Sequence, residues 1–417
     1  MQFLNDWISE SPTPWHVVEN AKNSLKTKGA FELNWAKEWQ TLQKNTPYFL
    51  SQNGAFIAFV LGNNNLEETG FVVAASHTDS PTFYIKSQPE KIQNHLCLLS
   101  SDVYGGAIIP SFVDQELSIA GEIIDDNLNT HLFNLKKPLL KLAELPIHLN
   151  RNVNQEGLKF NKQTELNLLF GNVDENNFKF LNYLEKETKI KNILNFNALV
   201  YPFEKGEFWG LNNEFYSNAR LDNLISVFFS LKAFLDIDFQ HNQKNIMLIL
   251  FNNEEIGSQT AEGAKGAFIQ DFFKRLFENQ HLNKEKEIIC KNHSFVLSLD
   301  AAHAFHPNYP QYFEPNHYLN INQGLGIKIN RNGNYLNNSK ILAKIKKVFI
   351  QNKMPFQIYE NRADLSCGST VGPILNAALG FSGVDLGAPL WAMHSARETA
   401  GVKDCQNLLR FLNIVFK

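Results

Sequence analysis

Cysteine is scarce in this chain. Cys97, Cys290, Cys367 and Cys405 are the only four in 417 residues, and no two of them fall in a Cys-x-x-Cys spacing. That scatter fits free thiols in a reducing compartment better than a disulfide framework or a thiolate zinc site. Net charge is also scarce. At −3, with acids and bases spread along the chain, there is no basic face for nucleic acid or for an anionic membrane, and neither is expected as a partner. No apolar run is long enough to span a bilayer. The opening Met1-Gln-Phe-Leu-Asn-Asp-Trp7 has no basic residue and carries an acid where an export signal is apolar, so a soluble, cytoplasmic protein is expected. None of the 23 glycines falls in a phosphate loop or a dinucleotide fingerprint in the right setting, which excludes the common nucleotide-binding classes.

What the chain does have is 44% hydrophobic residues over a length that suits two domains. Its centre is Phe251-Asn-Asn-Glu254-Glu255-Ile-Gly-Ser258, two adjacent carboxylates directly after the apolar run Ile246 to Leu250. Such a run reads as a buried strand. A lone Glu-Glu pair is more often a solvated turn. Three further apolar segments, however, end in acid or histidine in the same way. Phe71 to Ala75 leads into Ser76-His77-Thr78-Asp79, Phe295 to Leu299 into Asp300, and Val384 to Leu386 into the loop with Met393-His394. In an open α/β sheet, ligands bind beyond the carboxyl ends of the strands, so these endings can converge in one crevice.

Leu4 to Leu25 reads as helix, turn and helix around Ser11-Pro-Thr-Pro14, and Tyr48 to Leu61 as a hairpin. From about Ser87 to Glu207 the texture becomes short alternating segments broken by Tyr104-Gly-Gly106 and Asp125-Asp-Asn127. This stretch predicts a separate, mostly β insertion (87–207) between two parts of an α/β domain (1–86 and 208–417). Within it, the polar stretch Lys162 to Lys191 suits a loop plus one helix. Asp222 precedes the apolar segment Leu224 to Leu235 and is expected in the first turn of a helix, where an acid can equally well favour the helix dipole. Helices are expected over Thr260 to Phe277, Ser339 to Gln351, from near Thr370, and over Asn407 to Val415, with strands near Gly326 to Asn330 and Gln357 to Glu360.

The candidate ligands are His77, His394, Asp222, Glu255 and Asp300. Two zinc-like ions need a shared carboxylate and about two further ligands each, and nitrogen and oxygen donors suit them. Five side chains meet that count and leave Glu254 beside the ions as a general base. Asp79 is expected to hydrogen-bond the far nitrogen of His77 and so set its tautomer. His303, His306 and His317 read as pocket lining.

These residues carry a resemblance. Ser76-His-Thr-Asp-Ser-Pro81, Tyr104-Gly-Gly106, His148-Leu-Asn-Arg151, Leu221-Asp-Asn223, Asn253-Glu-Glu-Ile-Gly-Ser258, Asp300-Ala-Ala-His-Ala-Phe-His-Pro-Asn-Tyr309 and Met393-His-Ser-Ala-Arg-Glu398 together resemble the M18 metallopeptidases, the aspartyl aminopeptidase family. The resemblance implies a zinc aminopeptidase on a phosphorylase/hydrolase-like α/β catalytic domain, with an inserted β domain making dimer contacts within a dodecamer. It implies two zinc ions, for which cobalt or manganese could substitute. Asp222 bridges them, with Glu255 and His394 on one and His77 and Asp300 on the other; Glu254 is the base and Asp79 orients His77. His148 is implied to reach the active site of a neighbouring subunit. Arg362-Ala-Asp-Leu-Ser-Cys367 and Asn322-Gln-Gly-Leu-Gly326 match the family only loosely, and both would border the substrate pocket.

Peptides are the expected substrates, with Asp or Glu at the N-terminus and neutral residues as the alternative. An acidic preference needs a cation in a partly dry pocket. Lys328, a lone lysine between isoleucines that also matches a family lysine, is the candidate, against the simpler reading of an edge-strand lysine. A related two-metal amidase or carboxypeptidase could use the same ligands. A non-catalytic assembly protein should have lost one of the six, and all are present.

Overall fold

The computed structural model describes residues 1–173 and 178–417. Its largest sheet has nine strands. The strands Asn245–Phe251, Phe71–His77, Phe295–Leu299 and Ser382–Gly387 lie side by side at its middle and run parallel. The first three are buried along their whole length, as parallel strands covered on both faces must be. Their alternation still decides which core each side chain enters. Ile246, Leu248 and Leu250 join one apolar cluster with the helices Leu221–Leu235 and Val402–Phe416. Met247, Ile249 and Phe251 join another with Ala267–Asn279 and Val371–Leu379. The sheet is therefore sandwiched between two helical layers, and its four central strands all open at the same rim.

A second sheet is antiparallel throughout. Its six strands are Thr82–Gln93, Leu96–Tyr104, Leu117–Asp125, Thr130–Asn134, Asn167–Asn172 and Ile193–Pro202. It has its own apolar cluster, including Phe83, Ile119, Phe180 and Phe196. The stretch 162–191 contains the expected helix, Phe180–Thr188, and also the strand Asn167–Asn172; residues 174–177 within it lie outside the described residues.

A third, five-stranded sheet was not anticipated. It joins Glu207–Trp209, Phe215–Asn218, Glu398–Gly401, Pro389–Trp391 and Ala302–His303. These strands are too short for a legible alternation, yet they tie together the segments just before Asp222, just after Asp300 and on either side of His394.

Two further expectations are corrected. The helix expected from Thr260 begins at Ala267, because Gly263 and Gly266 close a compact turn first. A Cβ on Gly266 would stand 2.1 Å from the carbonyl oxygen of Ala261. Asp222 is not in a regular first turn either. Its backbone (φ −82, ψ 105) leaves helical geometry, and the amide of Leu224 bonds back to the Arg220 carbonyl. The carboxylate is thereby offered sideways at the helix start instead of capping it.

Candidate metal centre

His77 ends one central strand, Glu254 and Glu255 form a single tight turn just beyond the next, and Asp300 directly follows a third. His394 comes from the loop after Pro389–Trp391, with a left-handed backbone (φ 69). The rim brings these together with Asp222. His77 Nε2 lies 3.4 Å from Asp222 Oδ1 and 3.6 Å from Asp300 Oδ1. His394 Nε2 lies 3.4 Å from Asp222 Oδ2 and 3.4 Å from Glu255 Oε2. Ligands on a tetrahedral ion with bonds of about 2.0–2.2 Å stand roughly 3.3–3.6 Å apart. The spacings therefore fit two such ions. Asp222 presents one oxygen to each histidine, and Asp222 Oδ1 and Glu255 Oε1 are buried with no hydrogen-bond partner. Buried polar atoms are otherwise nearly always satisfied, so these donors fit a pair of cations.

Electrostatics points the same way. Burial, together with the charges of Asp300, Glu255 and Asp79 and against that of His77, pushes the Glu254 carboxyl up to about 8. Glu255 rises to about 7, through burial and the Asp222 charge. Burial alone would lower His394, yet Asp222 and Glu255 hold it up at about 11. His77 is likewise held well above its ordinary value by Asp222, Asp300 and Asp79 in spite of burial. So many acids at one point take up protons unless a cation neutralises them.

The imidazoles are set by main-chain carbonyls. His77 Nδ1 is 3.0 Å from the Asp79 carbonyl oxygen, closer than the 3.5 Å to its carboxylate. A carbonyl only accepts, so Nδ1 carries the proton and Nε2 turns its lone pair to Asp222 and Asp300. The expected Asp79 carboxylate contact is thus the longer one. That carboxylate, fully buried, accepts instead from Tyr104 Oη (2.7 Å) and from the amides of Glu254 and Glu255 (3.1 Å each). Gly106, from the end of the second sheet, plays the carbonyl role for His394 Nδ1 at 3.3 Å. A Cβ there would stand 3.2 Å from that nitrogen.

Lys328, the candidate cation of the substrate pocket, is buried and already paired. It is 2% exposed, and its Nζ donates to Asp300 Oδ2 (3.3 Å) and the Ala301 carbonyl (3.0 Å) with the Tyr335 ring beside it. It also pairs in register with Asp385 on the neighbouring strand, so it is not on an edge. His148 is in an exposed turn between exposed Ile147 and Leu149, outside the cluster. Next to His394 is a cavity of about 380 Å³, lined by Tyr312, Phe313, Tyr359, Trp391, Met393 and His303 among others. Arg362 also lines it, with its guanidinium bonded to Asp364 at 2.9 and 2.6 Å.

Sequence reasoning assigned no part to Tyr104, the Gly106 carbonyl, Ser80 or Glu398. Tyr104-Gly-Gly106 and Glu398 stand within recognisable motifs, but contacts to distant main-chain atoms leave no periodicity to read.

Two histidines and several carboxylates converge beyond the parallel strands at the centre of a mixed sheet, the setting of a metal-dependent hydrolase. Residues 7–416 match the family described as "Aminopeptidase I zinc metalloprotease (M18)". The chain belongs to that family: it is an M18 aminopeptidase, a zinc metallo-hydrolase acting on peptide bonds. It is 37% identical over 414 residues to a probable M18 family aminopeptidase 2 of Clostridium acetobutylicum, covering 96% of this chain and 94% of the relative. Among solved structures it resembles Ape4 in a complex with Nbr1, with a TM-score of 0.92 and 30% identity over 100% of this chain and 85% of the other. It also shares the fold of the S. cerevisiae mApe1 dodecamer, with a TM-score of 0.84 and 23% identity over 100% and 95% of the two chains.

Proposed function

We propose that this aminopeptidase works through two zinc ions that share Asp222, with His77 and Asp300 completing one set of ligands and His394 and Glu255 the other. The observation that carries the reading is the Asp222 carboxylate, whose two oxygens each stand 3.4 Å from a different histidine Nε2. Bound zinc would polarise the scissile carbonyl and make water easier to deprotonate. Glu254 takes the proton from the attacking water as its oxygen bonds to the carbonyl carbon. When the C–N bond breaks, Glu254 gives that proton to the departing amine nitrogen. Asp79 holds the amides of Glu254 and Glu255, which keeps both carboxylates at the rim. Cobalt or manganese should substitute for zinc.

The sandwich is read as a phosphorylase/hydrolase-like catalytic domain of residues 1–86 and 208–417, and 87–207 as an inserted dimerisation domain. The core of the second sheet supports an inserted unit, whose first strand, Thr82–Gln93, begins before residue 87 and brings Phe83 and Ile85 into that core. Assembly into a homo-oligomer built from dimers, up to a dodecamer, is supported by the dodecameric neighbour. A cytoplasmic setting is supported by the four unpaired cysteines; no helix of the described residues is long and apolar enough to cross a membrane.

An Asp or Glu preference would need Lys328, or Arg362 released from Asp364, to meet the substrate carboxylate. The contacts of Lys328 with Asp300 and Ala301, and the aromatic lining of the cavity, favour the second reading, release of neutral N-terminal residues. The test is a panel of Asp, Glu, Leu and Phe reporters with N-acetylated counterparts. Free-amine substrates should be cleaved and the blocked ones spared; equal cleavage of both would point to an amidase or carboxypeptidase.

A further inference from the structure

The motif Met393–Glu398 ends in a carboxylate that the chemistry above does not use. Glu398 is 1% exposed and opens the strand Glu398–Gly401, opposite Asn218. Its partners are two main-chain amides from different parts of the chain. Oε1 accepts from the His394 amide at 2.6 Å, and Oε2 from the Asp222 amide at 2.9 Å. On its other side the Asp222 carbonyl accepts from Ser80 Oγ at 2.8 Å. A carboxylate is costly to bury and would not be kept here for packing alone. What this one does is fix the separation of two residues whose side chains face each other across 3.4 Å.

We propose that Glu398 is a positioning residue of the metal centre. By holding the amides of Asp222 and His394 on its two oxygens, it sets the bite of the ligand set Asp222, Glu255 and His394, and with it the affinity for the ion held there. The set His77, Asp222 and Asp300 depends on it less, because His77 and Asp300 are anchored by their own strands and by the Asp79 carbonyl and Lys328. This inference rests on the two-ion reading above.

Glu398→Gln tests it with almost no change of shape. Glutamine offers one accepting oxygen and one NH₂, so one of the two amides must lose its acceptor. Asp404→Asn is the control for simple loss of stability. Asp404 is also fully buried and accepts two main-chain amides, from Asn322 and Gly324, but it touches no candidate ligand. Metal-stripped proteins are titrated with zinc by calorimetry, and the cobalt forms are compared by visible absorption. The expected result for Glu398→Gln is one binding event kept near its wild-type affinity and the other weakened by about tenfold or more, as partners of metal ligands usually show, with an altered cobalt band. Asp404→Asn should melt earlier with both zinc affinities kept. If Glu398→Gln does not refold after stripping, zinc release from the loaded protein to a chelator gives the same comparison, with one ion leaving faster. Unchanged affinities and spectrum in Glu398→Gln, or equal zinc loss in Asp404→Asn, overturn the proposal. A wild-type chain that binds fewer than two ions overturns the underlying two-ion reading instead.

Discussion

Glu254 and Glu255 are neighbours in the chain, yet only Glu255 stands 3.4 Å from His394 Nε2. Glu254→Gln is therefore expected to keep its zinc and lose about two orders of magnitude or more in kcat, as loss of a general base does. Glu255→Gln should lose zinc as well, so metal content and rate measured on the same samples separate the two; equal metal loss would void the division of roles. Lys328 gives a second prediction. Its Nζ is bonded to Asp300, so Lys328→Met should lower zinc occupancy and leave the ranking of aminoacyl reporters unchanged. A switch from Asp to Leu preference in that variant would place Lys328 in the substrate pocket. At this scale the residues that meet at the rim were legible as candidates, because His77, Glu254, Glu255 and Asp300 are acids or histidines standing where an apolar run stops, while Asp222 stands just before one. What holds them was not. The Asp79 carbonyl, the Gly106 carbonyl and the two amides on Glu398 are main-chain groups, present at every position and invisible in residue types.

The elements most legible were those with a full period. The central strands read as apolar runs, and Ser339–Gln351 has its expected bounds. The five-stranded sheet escaped, because strands such as Ala302–His303 and Pro389–Trp391 are shorter than any alternation. The apolar pattern extends the helix at Ala267 back to Thr260, because it says nothing of the close backbone contacts at Gly263 and Gly266. The turn at the end of Leu96–Tyr104 brings the second sheet to the metal centre, and it depends on glycine. Gly105 has φ +67, and a Cβ on it would meet the Glu255 Cβ at 3.1 Å. Gly105→Ala should cost roughly 1 kcal/mol or more of stability, since alanine is strained at positive φ. Chemical denaturation of the metal-stripped protein measures it; an unchanged midpoint would show that the turn relaxes freely.

For the whole molecule, the antiparallel sheet carries an exposed apolar turn. Leu145, Ile147 and Leu149 are 58%, 46% and 74% exposed around His148. Such side chains suit contact with another subunit. His148→Ala is expected to lower turnover at unchanged zinc content, and charged substitutions at Leu145 and Leu149 to lower both assembly and activity together. A monomer of full activity in the ultracentrifuge contradicts that picture. The change of texture near residue 87 falls inside the strand Thr82–Gln93, five residues after the antiparallel sheet begins, whereas nothing in the chain's own pattern speaks of subunit number.

The central claim is that two ions share Asp222 and that both are needed. Its most direct measurement is the rate of N-terminal residue release as zinc is added back to the stripped protein, with bound zinc per chain determined at each point. Two zinc ions per chain at saturation are predicted, with activity reaching its full value only as the second binds. Full activity with one ion per chain, or binding that stops at one, would contradict it.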